Sequence, residues 1–198
     1  MILDEIDSTV RKINSELLNS GEKRSVIWLI GDNICSHAGC NHCSLSDRMF
    51  REELSYLGRN INGYEKFESD LLKCNFRETP VLSLYLMGSF YNETEINKDL
   101  RRKILQKVRE EKHIKKLILE TRPEFIDRDK ITETEDIMGG KSVEIGTGLD
   151  HLNEIYRNKY LNKNIKLEDY EKCTEIIKNS SIKQITYVAA GCPYLDEE

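Results

Sequence analysis

The chain reads as an α/β protein built on a parallel sheet, and three observations predict it. Five short apolar runs recur along the sequence, and each is bounded by turn residues. A segment with helical spacing of apolar residues lies between each run and the next. The unusual short motifs come directly after the runs. Parallel strands need helix-length crossovers, so strand–helix alternation gives a parallel sheet with helices outside it. Ligands in such sheets sit at the carboxyl ends of the strands, and four motif-bearing loops would meet on that face.

The elements follow in order. Residues 3–18 place Ile6, Val10, Ile13, Leu17 and Leu18 at helical spacing, and Asn19-Ser-Gly21 stops the helix. This gives an N-terminal helical extension over 1–22 and a main domain over 23–198. The first strand is expected at 26–30, ahead of a cysteine-rich loop. Ser46-Asp47 is a cap for a helix through Phe50, Leu54 and Leu57. A second helix over 63–73 carries Tyr64, Phe67, Leu71 and Leu72, and Pro80 ends the connection. The second strand is 81–86, followed by Gly88-Ser-Phe90. Asn92 and Thr94 are candidate caps for a long helix carrying Ile96, Leu100, Ile104, Leu105 and Val108. The third strand is 116–120, followed by Thr121-Arg-Pro123. A short helix over 129–138 ends at Gly139-Gly140, and the fourth strand is 142–146, followed by Gly148-Leu-Asp150. Helices over 151–160 and 167–177 come next, the latter with Leu167, Tyr170, Ile176 and Ile177 inward. The fifth strand is 182–188.

Bulk properties exclude several classes. A chain of 198 residues can bury a core without disulfides. With 33% charged and 38% apolar residues it is globular rather than disordered. A net charge of −5 excludes a wholly basic nucleic-acid binder. Arg101, Arg102, Lys103 and Lys107 read as a solvated helix face. No run approaches a membrane span, and the acidic start lacks a signal-peptide pattern, so a cytoplasmic location is expected. In that reducing setting, cysteines read as ligands or catalytic groups.

The chemistry-bearing feature is Ile34-Cys-Ser-His-Ala-Gly-Cys-Asn-His-Cys-Ser-Leu45, which places Cys35, Cys40 and Cys43 at C-x4-C-x2-C spacing. Four readings compete. Structural zinc would need a fourth ligand, for which His37 and His42 are available. A [2Fe–2S] cluster of plant type shares the spacing and would recruit Cys74, Cys173 or Cys192. Packing alone is the third reading. The favoured fourth is a [4Fe–4S] cluster held by three cysteines, with one iron left open, because an open coordination position marks a catalytic centre. Cys173 reads as core, Cys192 as a conceivable extra thiol, and Cys74 carries no signal.

A three-cysteine loop after the first strand of a parallel (βα) array resembles the radical S-adenosylmethionine (SAM) superfamily. The usual spacing there is C-x3-C-x2-C. Gly88-Ser-Phe90 with Glu95, Arg101-Arg-Lys-Ile-Leu105, Leu119-Glu-Thr-Arg-Pro-Glu-Phe-Ile126, Val143-Glu-Ile-Gly-Thr-Gly-Leu-Asp150 and Asn162-Lys163 are similar to the radical SAM subunit of archaeosine synthase and, more remotely, to the catalytic subunit of elongator. The resemblance runs over about 26–188 and implies a partial (βα) barrel, incomplete here after the fifth strand. It implies a [4Fe–4S] cluster on Cys35, Cys40 and Cys43, and S-adenosyl-L-methionine bound by Gly88, Ser89, Glu120, Arg122 and Asp150. Asp150 stands where the family has Glu. Arg122 is alternatively a structural partner of Glu120 or Glu144.

The implied activity is reductive SAM cleavage in tRNA modification, as a lyase on a lysine-modified 7-deazaguanine. The implied partners are tRNA, reached through a partner subunit, and a protein covering the open barrel edge. Alternatives are radical SAM chemistry on a small molecule or peptide, and a shortened non-catalytic metal-binding paralogue.

Overall fold

The computed structural model describes residues 23–189. The expected N-terminal helix and Cys192 lie outside them. Five strands form one sheet in the order β1-β2-β3-β4-β5, all neighbours parallel. They are β1 (Arg24–Leu29), β2 (Val81–Leu86), β3 (Lys116–Glu120), β4 (Ser142–Asp150) and β5 (Lys183–Val188). Helices α1 (Arg48–Asn60), α2 (Gly63–Leu72), α3 (Lys98–Glu110), α4 (Arg128–Met138) and α5 (Leu167–Lys178) fill the crossovers. The sheet is open, as a partial (βα) barrel is.

Register explains the two faces of the sheet. Ile27 pairs with Leu84, Leu84 with Leu119, and Leu119 with Ile145, so an apolar row crosses four strands. That row joins the helix-side core, where Leu105, Val108, Leu119 and Ile145 are wholly buried. Each such side chain contributes about 1.5–3 kcal/mol on leaving water. The opposite, inner face carries Trp28, Tyr85, Glu120, Gly146 and Tyr187, as the alternation of strand side chains requires.

Helix α3 buries Arg101, Ile104, Leu105 and Val108 at helical spacing. Its cap is Asn97, whose side chain accepts the Leu100 N–H, and not Asn92 or Thr94. Those two form a separate turn, with Asn92 Oδ1 accepting from Thr94. The expected solvated face holds for Arg102 and Lys103, which are exposed, but not for Arg101. Arg101 is 1% exposed, reaches Glu133 at 3.2 Å, and lies over the Tyr91 ring. Arg102 and Lys107 pair with Glu133 and Glu68. In α5 the inward residues are Tyr170, Cys173 and Ile177, while Leu167 at the first position stays exposed.

Two differences bear on the site. Strand β4 runs nine residues, so Gly148-Leu-Asp150 belongs to the strand end rather than to a following loop. The segment expected as an ordinary helix over 151–160 is a π-helical turn, Ile155–Tyr160, entered through a turn in which Asn153 Oδ1 accepts the Ile155 N–H.

Candidate functional site

The cysteine loop leaves the carboxyl end of β1 and is fixed at two points. The first is the end of β2. Cys35 N–H donates to the Met87 carbonyl at 2.7 Å. The wholly buried Glu95 then bridges the two segments. Its Oε1 accepts the Ser36 N–H at 2.7 Å and the Asn92 amide at 2.6 Å, and its Oε2 accepts the Ser89 N–H at 2.5 Å. A Cβ on Gly88 would strike Glu95 Oε2 and lie 3.2 Å from the Cys35 nitrogen, so only glycine admits this approach. Ser89 is itself buried, and its hydroxyl accepts the Arg122 N–H at 3.2 Å.

The second anchor is the turn after the π-helix. Asn41 N–H donates to the Leu161 carbonyl, and its amide to the Tyr160 carbonyl at 2.7 Å. Asn162 Nδ2 donates to the Gly39 carbonyl, and His37 Nε2 donates to the Asn162 carbonyl, both at 2.6 Å. Asn162 adopts φ 49°, a left-handed conformation that Asn tolerates.

Charge gathers on one side of the loop. Lys163 Nζ lies 2.6 Å from Asp150 Oδ2, and His42 Nε2 lies 3.5 Å from the same oxygen. Gly148 makes room for this lysine, because a Cβ there would lie 2.5 Å from Nζ. Arg122 pairs with Glu124 at 2.5 Å, rather than with Glu120 or Glu144, and donates to the Lys163 and Asn164 carbonyls. Glu144 pairs instead with Lys116. Burial raises the Cys40 thiol above its ordinary pKa; Lys163 and Arg122 pull it down, and Cys43 and Cys35 push it up. The three thiols and the two cations thus share one electrostatic neighbourhood.

The structure brings Cys35, Cys40, Cys43, Gly88, Ser89, Arg122 and Asp150 to one end of the sheet. Glu120 belongs to the inner face nearby. Burial raises its carboxyl above the usual range, against opposing pulls from the Tyr187 hydroxyl, Arg24 and Lys163. Cys173 stands apart in the core, where burial and then Glu124 push its thiol up to about 12. Cys74 lies just past α2 with its thiol donating to the Asp70 carbonyl.

Among the described residues, no three or more His, Cys, Asp or Glu side chains converge as ligands of a single ion. The loop histidines are engaged with Asn162 and Asp150, so the donor set on the loop is three thiols. The three thiols are the loop's candidate donors for a metal or an iron–sulfur cluster, which takes thiolate ligands. Glu95 and Lys163 are site residues that sequence reasoning left without a role. Both stand in the quoted motifs, and only folding shows that Glu95 reaches back seven residues to Gly88 and across to Ser36.

Among the described residues, no helix is long and apolar enough to cross a membrane. No family model matches the chain. It is 37% identical over 117 residues to an uncharacterised protein of Methanocaldococcus jannaschii, covering 59% of this chain and 32% of that one. It is 26% identical over 114 residues to the archaeosine synthase subunit beta of Thermococcus kodakarensis, covering 58% and 35% respectively. It is 22% identical over 155 residues to the protein of the same name from Methanosarcina acetivorans, covering 78% and 42%. The chain therefore spans about a third to two-fifths of the length of these curated relatives.

Proposed function

We propose that this chain is a radical SAM enzyme of the cytoplasm that acts in archaeosine formation in tRNA. The observation that carries the reading is the three-cysteine loop tied through Glu95 to the Gly88-Ser89 turn at the strand ends. Its similarity to two proteins named archaeosine synthase subunit beta supports the choice of pathway. Cys35, Cys40 and Cys43 would hold a [4Fe–4S] cluster through one thiolate each. When bound, such a cluster supplies one electron that cleaves SAM into methionine and a 5′-deoxyadenosyl radical.

The protein's own groups hold and orient. Gly88 lets a ligand approach the backbone closely, and the Ser89 turn is held rigid by Glu95 and Arg122. Lys163 and Arg122 work against the burial that raises the Cys40 thiol. Asp150, fixed by Lys163, and Glu120 offer carboxylates toward a SAM amino group. The substrate would be a lysine-modified 7-deazaguanine base, opened in a lyase reaction. A partner subunit would share the tRNA contacts and cover the open edge at β5, where Val188 is 67% exposed.

Anaerobic purification, reconstitution with iron and sulfide, and incubation with SAM and dithionite test this. About four irons per chain and 5′-deoxyadenosine formation are expected. One tightly bound zinc with no iron uptake would overturn the cluster. Nucleoside analysis of tRNA from a deletion strain tests the pathway, and unchanged archaeosine would overturn it.

A further inference from the structure

The rim beside the cysteine loop carries a ladder of rings. The centroids of His151 and Tyr156 are 5.1 Å apart with planes 42° from parallel; those of Tyr156 and Tyr160 are 5.1 Å apart at 30°. Lys159 Nζ sits 6.0 Å from the Tyr160 centroid, within reach of a cation–π contact. Leu152 and Ile155 stand beside the rings at 72% and 58% exposure. Tyr156 and Tyr160 lie on a π-helical turn, a rare element that recurs at functional sites.

This rim is rigid and joined to the site. The wholly buried Arg157 donates to the carbonyls of His151, Leu152 and Ile165, which pins the turn from beneath. Asn41 of the cysteine loop donates to the Tyr160 carbonyl. After the loop, α1 begins five residues past Cys43. Its exposed face carries Arg48, Arg51 and Arg59, with Glu52 paired to Arg48 at 2.8 Å.

We propose that this rim binds RNA: the ladder stacks an unpaired base, while Lys159 and the α1 arginines meet the flanking phosphates. Ring faces paired with a cation suit base stacking, which is sequence-tolerant and contributes about 1–3 kcal/mol per base. The chain carries a net charge of −5, so this cluster of arginines is a local feature against an acidic background. The inference deepens the proposed function, since it assigns part of the tRNA contact to this chain rather than to a partner.

Fluorescence anisotropy of a labelled, unmodified tRNA transcript with cluster-free protein tests it, using a fully paired RNA hairpin as control. Tyr156→Ala with Tyr160→Ala is expected to weaken transcript binding about 10- to 100-fold. Tyr160→Phe should keep it, because the ring remains. Lys159→Ala should lower the salt slope by about one ion. Should the double variant melt, Arg51→Glu and Lys159→Glu decide, since both sit on exposed positions and each should weaken binding several-fold. Unchanged affinity in these variants overturns the proposal. So does a Phe variant as weak as Ala, equal binding of the hairpin, or self-association through the rim without RNA binding. SAM cleavage by the reconstituted protein is read separately, so loss of one conclusion leaves the other standing.

Discussion

Glu95 accepts the Ser36 backbone N–H at 2.7 Å, one residue beyond the first cysteine, from a position where it is wholly buried. Its other oxygen holds Ser89, so a single carboxylate sets the cysteine loop against the end of β2. Neither bond involves a cation; the charge is offset by backbone and amide donors alone. Glu95→Gln turns one acceptor into a donor facing a donor. Loss of one charge-assisted bond predicts a destabilisation of about 2 kcal/mol. Urea denaturation of the cluster-free protein checks it. An unchanged midpoint would mean that the loop is held by its second anchor alone.

Gly88→Ala acts on the same joint from the opposite side. The new methyl would meet the Glu95 carboxylate and crowd the Cys35 nitrogen at 3.2 Å. The helix-side core lies on the other face of the sheet and should be untouched, so far-UV circular dichroism is expected to match the parent. Iron uptake on reconstitution should fall, because the loop can no longer close on the turn. A variant that binds iron normally would show that the joint yields without disturbing the thiols.

Glu120 gives a pH signature with a defined sign. Burial raises its folded pKa above the unfolded value, so its contribution is fully present below the unfolded pKa and is lost as pH rises through the folded one. Glu120→Gln removes the buried charge while its amide oxygen can still accept from Tyr187. The variant is expected to melt higher than the parent at pH 8, with the difference vanishing near pH 4. Melting curves across that range check this, and a parent that gains stability over the variant with rising pH would reverse the sign.

The fold was legible because short apolar runs and helical patterns alternate cleanly. Strand β2 and strand β3 match their expected bounds, since turn residues flank both apolar runs. Strand β4 runs four residues past its expected end, because Gly146 and Gly148 look like a turn in the sequence. In the sheet they clear space on the inner face, where a Cβ at Gly146 would meet the Tyr187 ring, and that neighbour is invisible locally. Arg101 departs from its expected solvation for a related reason. A charged residue in a basic run looks solvated until tertiary structure supplies Glu133 and Tyr91. The cysteines stand out by their spacing, whereas Glu95 and Asn162 act through backbone groups far away in sequence, and such contacts leave no local pattern.

Asn162 makes the clearest case for an anchor that only the fold reveals. Its amide holds the Gly39 carbonyl and its carbonyl takes the His37 ring, 123 and 125 residues away in sequence. Asn162→Asp keeps the size and tolerates the left-handed backbone, but it replaces the amide donor with an oxygen facing the Gly39 carbonyl. Net loss of one such bond amounts to about 1 kcal/mol. The Ala38 and Asn41 amides should therefore exchange about fivefold faster in the variant, with core amides of β2 unchanged. Asn162→Gly keeps the backbone conformation and removes the side chain, so it should loosen the loop in the same direction without the repulsion. Equal exchange in parent and both variants would mean that the Asn41 bonds to Tyr160 and Leu161 carry this anchor unaided.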